Sequence, residues 1–522
     1  MKTESPNILF IMADQMTAPS LPFYGHPLVK TPHLSALAKE GVVFENAYCN
    51  SPLCAPSRFS MMAGQLPSGI GAYDNAAYFP ADVPTIAHYL RVRGYHTCLS
   101  GKMHFVGADQ LHGFEERLTT DIYPSDFGWT PDWENFAERP SWYHNMLSVV
   151  QAGLCTTSNQ LDFDEEVAFQ AVRKIYELAR RAEQRPFFLL ASFTHPHDPF
   201  AITPEYWHRY QDNEIDMPAV PTLPYPELDP HSQRLYHVCS VNDYAQTDER
   251  VRNARHAYYG MISYIDDKVG QLVQALQNTG LAGRTVIIFV SDHGEMLGER
   301  GLWYKMSFFE GSARVPILFH APGRFATGRV AQPVSLVDLL PTLVELADNG
   351  RSTPIYASPV DGHSLLPLLH DHRANPNRAV YGEMLGEGAI APLLMVRDGR
   401  YKYIYSPPDP EQLYDLESDP NELYNLAGQP EYGEIRRTFY EQVMTRWDIP
   451  RLHEQVLASQ RRRRLVDTAL RHGRYTAWDF QPMADASQMY MRNHLDLNVL
   501  ERTARYPLPE VPERDGTAVQ PN

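Results

Sequence analysis

Short apolar runs alternate with longer stretches of helical periodicity through the first part of the chain. Residues 7–13, NILFIMA, are apolar almost throughout and end at Asp14, the pattern of a short buried strand. A helix is predicted between Thr31-Pro32 and Gly41: an N-cap residue, a proline at the first helical position and a glycine stop bracket the segment. Residues 84–93 read as a further helix stopped by Gly94, and 95–99 as the next strand. A longer helix over roughly 164–183 leads into the strand-like FFLLASF of 187–193, and one over roughly 251–279 precedes TVIIFVS at 285–291. Strands alternating with amphipathic helices predict an α/β sandwich around a large, mostly parallel sheet. Candidate polar residues fall where these strands end: Asp14, then Lys102 and His104, then His195 and His197, then Asp292 and His293. Open α/β sheets gather their ligands at the carboxyl ends of strands, so these positions converge on one expected site.

Beyond about residue 375 the pattern changes. Residues 394–405, LMVRDGRYKYIY, place an Asp-Gly turn between alternating segments and predict a hairpin. The expected organisation is a catalytic α/β domain over 1–375, a smaller α+β subdomain over 376–450, and an extended tail over 451–522. The tail combines the basic run Arg461-Arg462-Arg463-Arg464 with aromatic residues and little regular pattern. It is expected to pack on the body or on a neighbouring subunit, which makes a homo-oligomer the expected assembly.

Charge narrows the function classes. Among 522 residues, 63 acids against 46 bases give a formal charge of −17, which argues against a nucleic-acid or anionic-membrane partner. The N-terminal residues lack the pattern of a secretory signal, and no window approaches the ~20 apolar residues of a membrane span. Five scattered cysteines (Cys49, Cys54, Cys98, Cys155, Cys239) do not read as a disulfide framework, so a cytoplasmic location is expected. An acidic protein acting on an anion must concentrate its cations locally.

One cysteine carries more than packing. Taken alone, Cys54 reads as a small buried hydrophobe. It opens Cys54-Ala55-Pro56-Ser57-Arg58, with Gly64 six residues beyond the arginine. This segment resembles the signature of type I sulfatases of the alkaline phosphatase superfamily. Gly101-Lys102-Met103-His104, the segment 292–301 with Lys305, and EGSARVP at 310–316 resemble further signatures of that family, in the family's order. The resemblance implies an alkaline-phosphatase-like sandwich and oxidation of Cys54 to formylglycine by a maturation system. The hydrated aldehyde then attacks the sulfur of a sulfate ester. It further implies that Arg58 holds and activates the formylglycine, that Lys102 and Lys305 bind sulfate oxygens, and that His104 and His197 transfer protons. Physical demand agrees, because negative charge builds on the leaving oxygen and must meet cations fixed beforehand. The spacing of Lys102 and His104 on an extended segment turns both to one face, as does that of His195 and His197, whose first member stays ambiguous.

Asp14 and Asp292 are hard oxygen donors suited to a divalent metal. The family usually supplies Asp-Asp and Asp-Asn where this chain reads Asp14-Gln15 and Asp292-His293. The expected ligands are Asp14, Asp292, His293 and the Cys54-derived group, with Gln15 left out. Ca²⁺ is the expected ion, and Mg²⁺ and Mn²⁺ are alternatives. A narrower resemblance, to the choline-sulfatase branch, rests on residues 73–76, 119–131 and 194–199 and on the tail segments RYTAWDFQP (474–482) and YMRNHLDLNVLE (490–501). It implies choline sulfate as substrate, with Asn75, Trp129, His144 and Glu387 forming the pocket. An aromatic face and a carboxylate suit a quaternary ammonium, which has no hydrogen-bond donors. In that branch the tail supplies an acid toward the ammonium, here expected from Asp496 or replaced by neutral Asn498. Two alternatives stand beside this reading. One is a phosphonate monoester or phosphodiester hydrolase of the same superfamily, which shares the Asp-Gln and Asp-His pairs. The other is a non-catalytic binder of a sulfated osmolyte, if Cys54 is never oxidised.

Overall fold

The run predicted as the first strand is strand β1 (Asn7–Ala13), buried along its whole length. In the computed structural model, which describes residues 5–123, 126–180, 185–349, 355–374, 378–472, 496–505 and 509–510, it lies inside an eight-stranded sheet. The other strands are β2 (Val42–Phe44), β3 (His96–Gly101), β4 (Glu116–Arg117), β5 (Phe187–Ser192), β6 (Thr285–Ser291), β7 (Ile317–His320) and β8 (Gly328–Val330). Their order is β8-β2-β7-β6-β1-β5-β3-β4. Strand β1 pairs in parallel with β5 and β6, setting Phe10 opposite both Leu190 and Ile288. Only β7 runs antiparallel to its neighbours. A sheet covered on both faces buries every side chain of its central strands, which is why β1, β5 and β6 read as near-continuous apolar runs. Each aliphatic side chain so buried contributes about 1.5–3 kcal/mol before the entropic cost of ordering it.

The predicted helices form with shifts at their ends. Pro32–Glu40 stops at Gly41, and Ile86–Val92 is capped by the Thr85 side chain, with Gly94 in the left-handed region at φ 84°. The helix Asn159–Arg180 starts five residues earlier than 164 because Ser158 Oγ accepts the Leu161 N–H at 3.1 Å and caps its first turn. The helix Asp248–Asn278 is capped by Thr247. No described helix is long and apolar enough to cross a membrane.

The predicted hairpin is the centre of a four-stranded antiparallel sheet, Val380–Met384, Leu393–Asp398, Tyr401–Tyr405 and Gln412–Asp415, turning at Gly399 with φ 55°. Its side chains alternate between two cores. Leu393, Met395, Ile404 and Tyr414 join the main core, while Leu394, Val396, Tyr403 and Leu413 pack against Phe439, Val443, Leu452 and Val456. The sheet therefore joins the body to the C-terminal helices.

Here the tail expectation needs correcting. Instead of a stretch with little regular structure, Ile449–Arg471 is a helix of 23 residues, capped by Asp448 and packed on the body. Its buried positions Ile449, Leu452, Val456, Leu457, Ser459, Gln460 and Arg463 recur along one face, but three are polar, so apolar periodicity alone does not reveal the face. The basic run is matched by acids of the body: Arg461 pairs with Glu134, Arg463 with Asp74 and Arg464 with Asp132. A short helix follows at Leu497–Ala504. The tail segment 474–482, and 490–495 of the second, lie outside the described residues.

Candidate functional site

Four strands deliver the site, and Arg58 ties their ends together. It sits one turn along the helix Cys54–Ala63, with its side chain fully buried. Its Nε donates to Asp292 Oδ2 at 2.8 Å and its Nη2 to Asp14 Oδ2 at 2.9 Å. Its Nη1 donates to the Lys102 carbonyl at 2.7 Å and to Ser192 Oγ at 2.8 Å. Those partners stand at the carboxyl ends of β1, β6, β3 and β5. The planar guanidinium thus fixes two buried carboxylates that would otherwise repel. Burial alone raises the Asp14 carboxyl, but the Lys102 and Arg58 charges outweigh it and hold Asp14 well below the ordinary carboxylate range.

Asp14, Cys54, Asp292 and His293 bring their donor atoms within 4.8 Å of one another, all buried. Cys54 heads its helix with Sγ 3.2 Å from His293 Nε2 and 3.9 Å from Asp14 Oδ1. His293 Nδ1 lies 3.0 Å from the Gly294 carbonyl, which can only accept, so Nδ1 carries the proton and Nε2 faces the cluster with its lone pair. Burial lowers the His293 pKa and keeps the ring neutral. Two carboxylates and a neutral imidazole are a donor set that fits a divalent cation.

The cations expected around the anion are present. Lys102 Nζ pairs with Asp14 Oδ2 and lies 3.9 Å from the centroid of the Tyr123 ring. Lys305 Nζ donates to Gln15 Oε1 at 2.5 Å and lies 2.8 Å from His197 Nε2. Burial pushes the Lys305 ammonium down, but Cys54, Asp198 and Asp14 outweigh it and raise it above its ordinary value. Burial and the Lys305 charge lower His197 well below the ordinary histidine range, so its ring is neutral and accepts from Lys305. The backbone is bent to aim these groups. Gln15, His104, Tyr304 and Met306 all hold positive φ, between 60° and 71°, and the last two flank Lys305. Such conformations cost on the order of 1–3 kcal/mol each and persist where packing enforces them. Gly101, just before Lys102, has φ 111°, and a Cβ there would stand 1.9 Å from the Ser192 carbonyl oxygen.

A pocket opens on Cys54. Asn75, His104, Trp129, His144, His197 and Glu387 all line it, so each of these sequence-predicted residues is brought to one place. Trp129 stacks on Trp142 with ring centroids 6.2 Å apart, and its ring lies 5.6 Å from that of Tyr123. Glu387 is buried with Oε2 lacking a hydrogen-bond partner among the described residues, and both ring nitrogens of His104 are in the same position. Buried polar atoms left open in this way are ones a bound ligand can satisfy. Burial, with the Asp74 charge second, pushes the Glu387 carboxyl up to about 8.

Two expectations, the shared face of His195 and His197 and the identity of the tail acid, meet a different geometry. His195 and His197 do not share a face: the chain turns between them, with the His197 N–H donating to the Thr194 carbonyl at 3.0 Å. His195 Nδ1 instead lies 2.7 Å from Asp164 on a helix away from the cluster. Gln15 Nε2 donates to Glu295 and Asp198, so its amide spans three neighbours of the site. The tail acid that lines the pocket is neither Asp496 nor a vacancy at Asn498. It is Glu501, whose carboxyl burial and the Asp198 charge raise well above the ordinary value. Asp496 caps the short helix by accepting the Asn498 N–H at 2.9 Å, and Asn498 bonds Asn145. One helical turn relates Leu497 to Glu501, and both line the pocket, a spacing that could have pointed to Glu501 had the helix been anticipated. Sequence reasoning also missed Trp142 and Tyr143, which no motif marks, and gave no role to Tyr123 and Asp198, although both lie inside the segments 119–131 and 194–199.

Comparison with known proteins agrees with this geometry. The sulfatase family profile matches residues 6–349, a profile described as the choline sulfatase C-terminal region matches 454–506, and one described as the N-sulphoglucosamine sulphohydrolase C-terminal region matches 298–447. The chain is 49% identical over 515 residues to a choline-sulfatase of Rhizobium meliloti, covering 97% of this chain and 99% of that protein. It is 31% identical over 453 residues to an arylsulfatase of Clostridium perfringens, covering 82% and 92%. The phosphonate monoester hydrolase of Agrobacterium radiobacter superposes with a TM-score of 0.67 at 26% identity, covering 87% and 96%. With its strand-end cluster, its Cys54 helix and a family match over most of its length, the chain belongs to the sulfatase family.

Proposed function

We propose that this protein hydrolyses choline sulfate to choline and inorganic sulfate, with Cys54 as the residue that bears the nucleophile. The observation that carries this reading is a pocket running from Cys54 to an aromatic wall and two acidic side chains, Glu387 and Glu501. One end suits an anion and the other a cation without donors. The choline-sulfatase relative and the match of the C-terminal region support the same substrate.

In this reading Cys54 is converted to formylglycine, whose hydrated aldehyde supplies the attacking hydroxyl. Cys54 is buried, so conversion by a maturation system belongs before folding is complete. Asp14, Asp292 and His293 would hold a divalent cation, with Ca²⁺ expected and Mg²⁺ or Mn²⁺ as alternatives, supplying positive charge beside the reacting group. Lys102 and Lys305 set two ammonium groups against the sulfate oxygens, fixed before reaction and away from bulk water. In this reading His104 and His197, which both line the pocket, serve proton transfer, as the family resemblance implies. None of the five cysteines forms a disulfide among the described residues, which suits a reducing compartment such as the cytoplasm.

Sulfate release from choline sulfate and p-nitrophenyl sulfate, run beside hydrolysis of a phenyl phosphonate monoester, tests the reading. A large kcat/KM advantage for choline sulfate is expected. Preference for the phosphonate would assign the chemistry suggested by the structural similarity to the Agrobacterium enzyme instead. The aromatic wall gives a further prediction. Trp129→Ala raises KM for choline sulfate about 10- to 30-fold, corresponding to roughly 1.4–2 kcal/mol of cation–π attraction in a desolvated site. KM for p-nitrophenyl sulfate changes far less, and equal increases on both esters would remove Trp129 from the cation subsite.

A further inference from the structure

Arg463 lies outside the pocket, on the helix Ile449–Arg471, yet its contacts lead to three pocket residues. Its guanidinium grips the Asp74 carboxylate with two hydrogen bonds, of 2.5 and 2.6 Å, and donates to Thr130 Oγ1 at 3.4 Å and Ser459 Oγ at 3.2 Å. Both members of the ion pair are buried. Asp74 precedes Asn75, whose Oδ1 accepts the Ala55 N–H at 3.0 Å beside Cys54. Thr130 follows Trp129 and closes its turn by donating from its backbone to the Phe127 carbonyl. Glu387 follows Gly386, where an added Cβ would stand 3.1 Å from Asp74 Cβ and 2.8 Å from Leu53 Cδ2, so that backbone rests directly on Asp74. The same helix reaches Gly386 from the other side: Gln460 Oε1 accepts the Trp133 N–H at 3.0 Å, and Trp133 Nε1 donates to the Gly386 carbonyl at 3.0 Å.

We propose that Arg463 is a positioning residue for substrate specificity, holding Asp74 and Thr130 so that Asn75, Trp129 and Glu387 together form the subsite for a cationic alcohol. This inference rests on the sulfate-ester reading. Two functions are combined in one side chain. The bidentate contact fixes the two loops that carry Asn75 and Trp129. Its positive charge also offsets Asp74, the acid whose charge acts most on Glu387, so that two buried carboxylates are not left uncompensated. The sulfate end of the site has its own brace in Arg58, whose partners Asp14 and Asp292 are not shared with this contact.

The test compares the wild-type holoenzyme with Arg463→Met, Arg463→Lys and the charge-balanced double variant Asp74→Asn/Arg463→Met, on choline sulfate and p-nitrophenyl sulfate. Arg463→Met is expected to raise KM for choline sulfate about tenfold or more, as displaced positioning groups do, with less than a twofold change in either constant for the aryl ester. Arg463→Lys keeps the charge but loses the fork and falls between. If Arg463→Met does not fold, the double variant, which leaves no unpaired buried charge, carries the same expectation. A wild-type KM for choline sulfate in a folded variant, or equal losses on both esters, overturns the proposal. Failure of the wild-type enzyme to release sulfate from either ester, with Cys54 converted, instead sinks the reading on which it rests.

Discussion

Cys54→Ala abolishes sulfate release from every ester while leaving the protein folded, with an expected loss on the order of 10⁴-fold or more in kcat. The size follows from what is removed. In the proposed reading Arg58, Lys102, Lys305 and the divalent cation that Asp14 and Asp292 would hold bind and polarise the ester, but none of them supplies the attacking group. Folding is spared because Cys54 stands at the first position of its helix, where alanine is an excellent helix former, and only one sulfur atom leaves the packing. The cost in stability is about 1 kcal/mol, a small shift in the thermal unfolding curve. Sulfate release and a thermal melt on the same sample check both halves. Activity within tenfold of wild type in a folded Cys54→Ala sample would show that another residue bears the nucleophile.

Glu387 gives the second large effect, and its sign depends on pH. Its carboxyl is pushed up to about 8 by burial and by the Asp74 charge, so in the empty pocket it is mostly protonated at neutral pH. A quaternary ammonium favours the ionised form. Choline sulfate binding therefore draws the proton off, and kcat/KM for this ester rises with pH and levels above about 8. Below that it falls by up to about tenfold per unit. Replacing Glu387 with glutamine removes the charge while keeping the shape, and lowers kcat/KM for choline sulfate about 30-fold at pH 9, corresponding to about 2 kcal/mol for one partner of a desolvated charge pair. Glu501, whose carboxyl is also raised, is the second acid of the pocket, so pairing Glu387→Gln with Glu501→Gln removes both carboxyls that face the cation and abolishes the limb. The pH profile of p-nitrophenyl sulfate lacks this limb throughout. An unchanged choline sulfate profile in the double variant would place the cation elsewhere.

The aryl ester separates the two effects. Loss at Cys54 is blind to the alcohol, whereas loss at Glu387, Trp129 or Arg463 falls on the cationic ester, because the two ends of the pocket are held by different parts of the chain. The anion end is built on the carboxyl ends of four adjacent strands. The cation end is assembled from loops around residues 73–75, 126–130 and 385–387, backed by C-terminal helices.

What was legible in the sequence was whatever local pattern encodes. The runs 7–13, 187–193 and 285–291 announced buried strands because both faces of the sheet are covered, and the polar residues just after them lie together because parallel strands end on one edge. The Cys54 segment, Lys102, His293 and Lys305 could be named before any fold was seen. Tertiary structure decided the rest. Whether His195 or His197 faces the cluster depended on a turn that period-two reasoning does not see. The role of Gln15 was set by Glu295 and Lys305, which approach it from beyond residue 290. Glu501 reached the pocket only because a short helix forms at 497–504, and the buried face of Ile449–Arg471 was hidden by its polar members. Asp74 and Arg463 meet across 389 positions. A buried ion pair of that kind leaves no mark on local periodicity, since each partner alone reads as a solvated charge. Burial gives the pair its meaning, and burial is a property of the packed molecule.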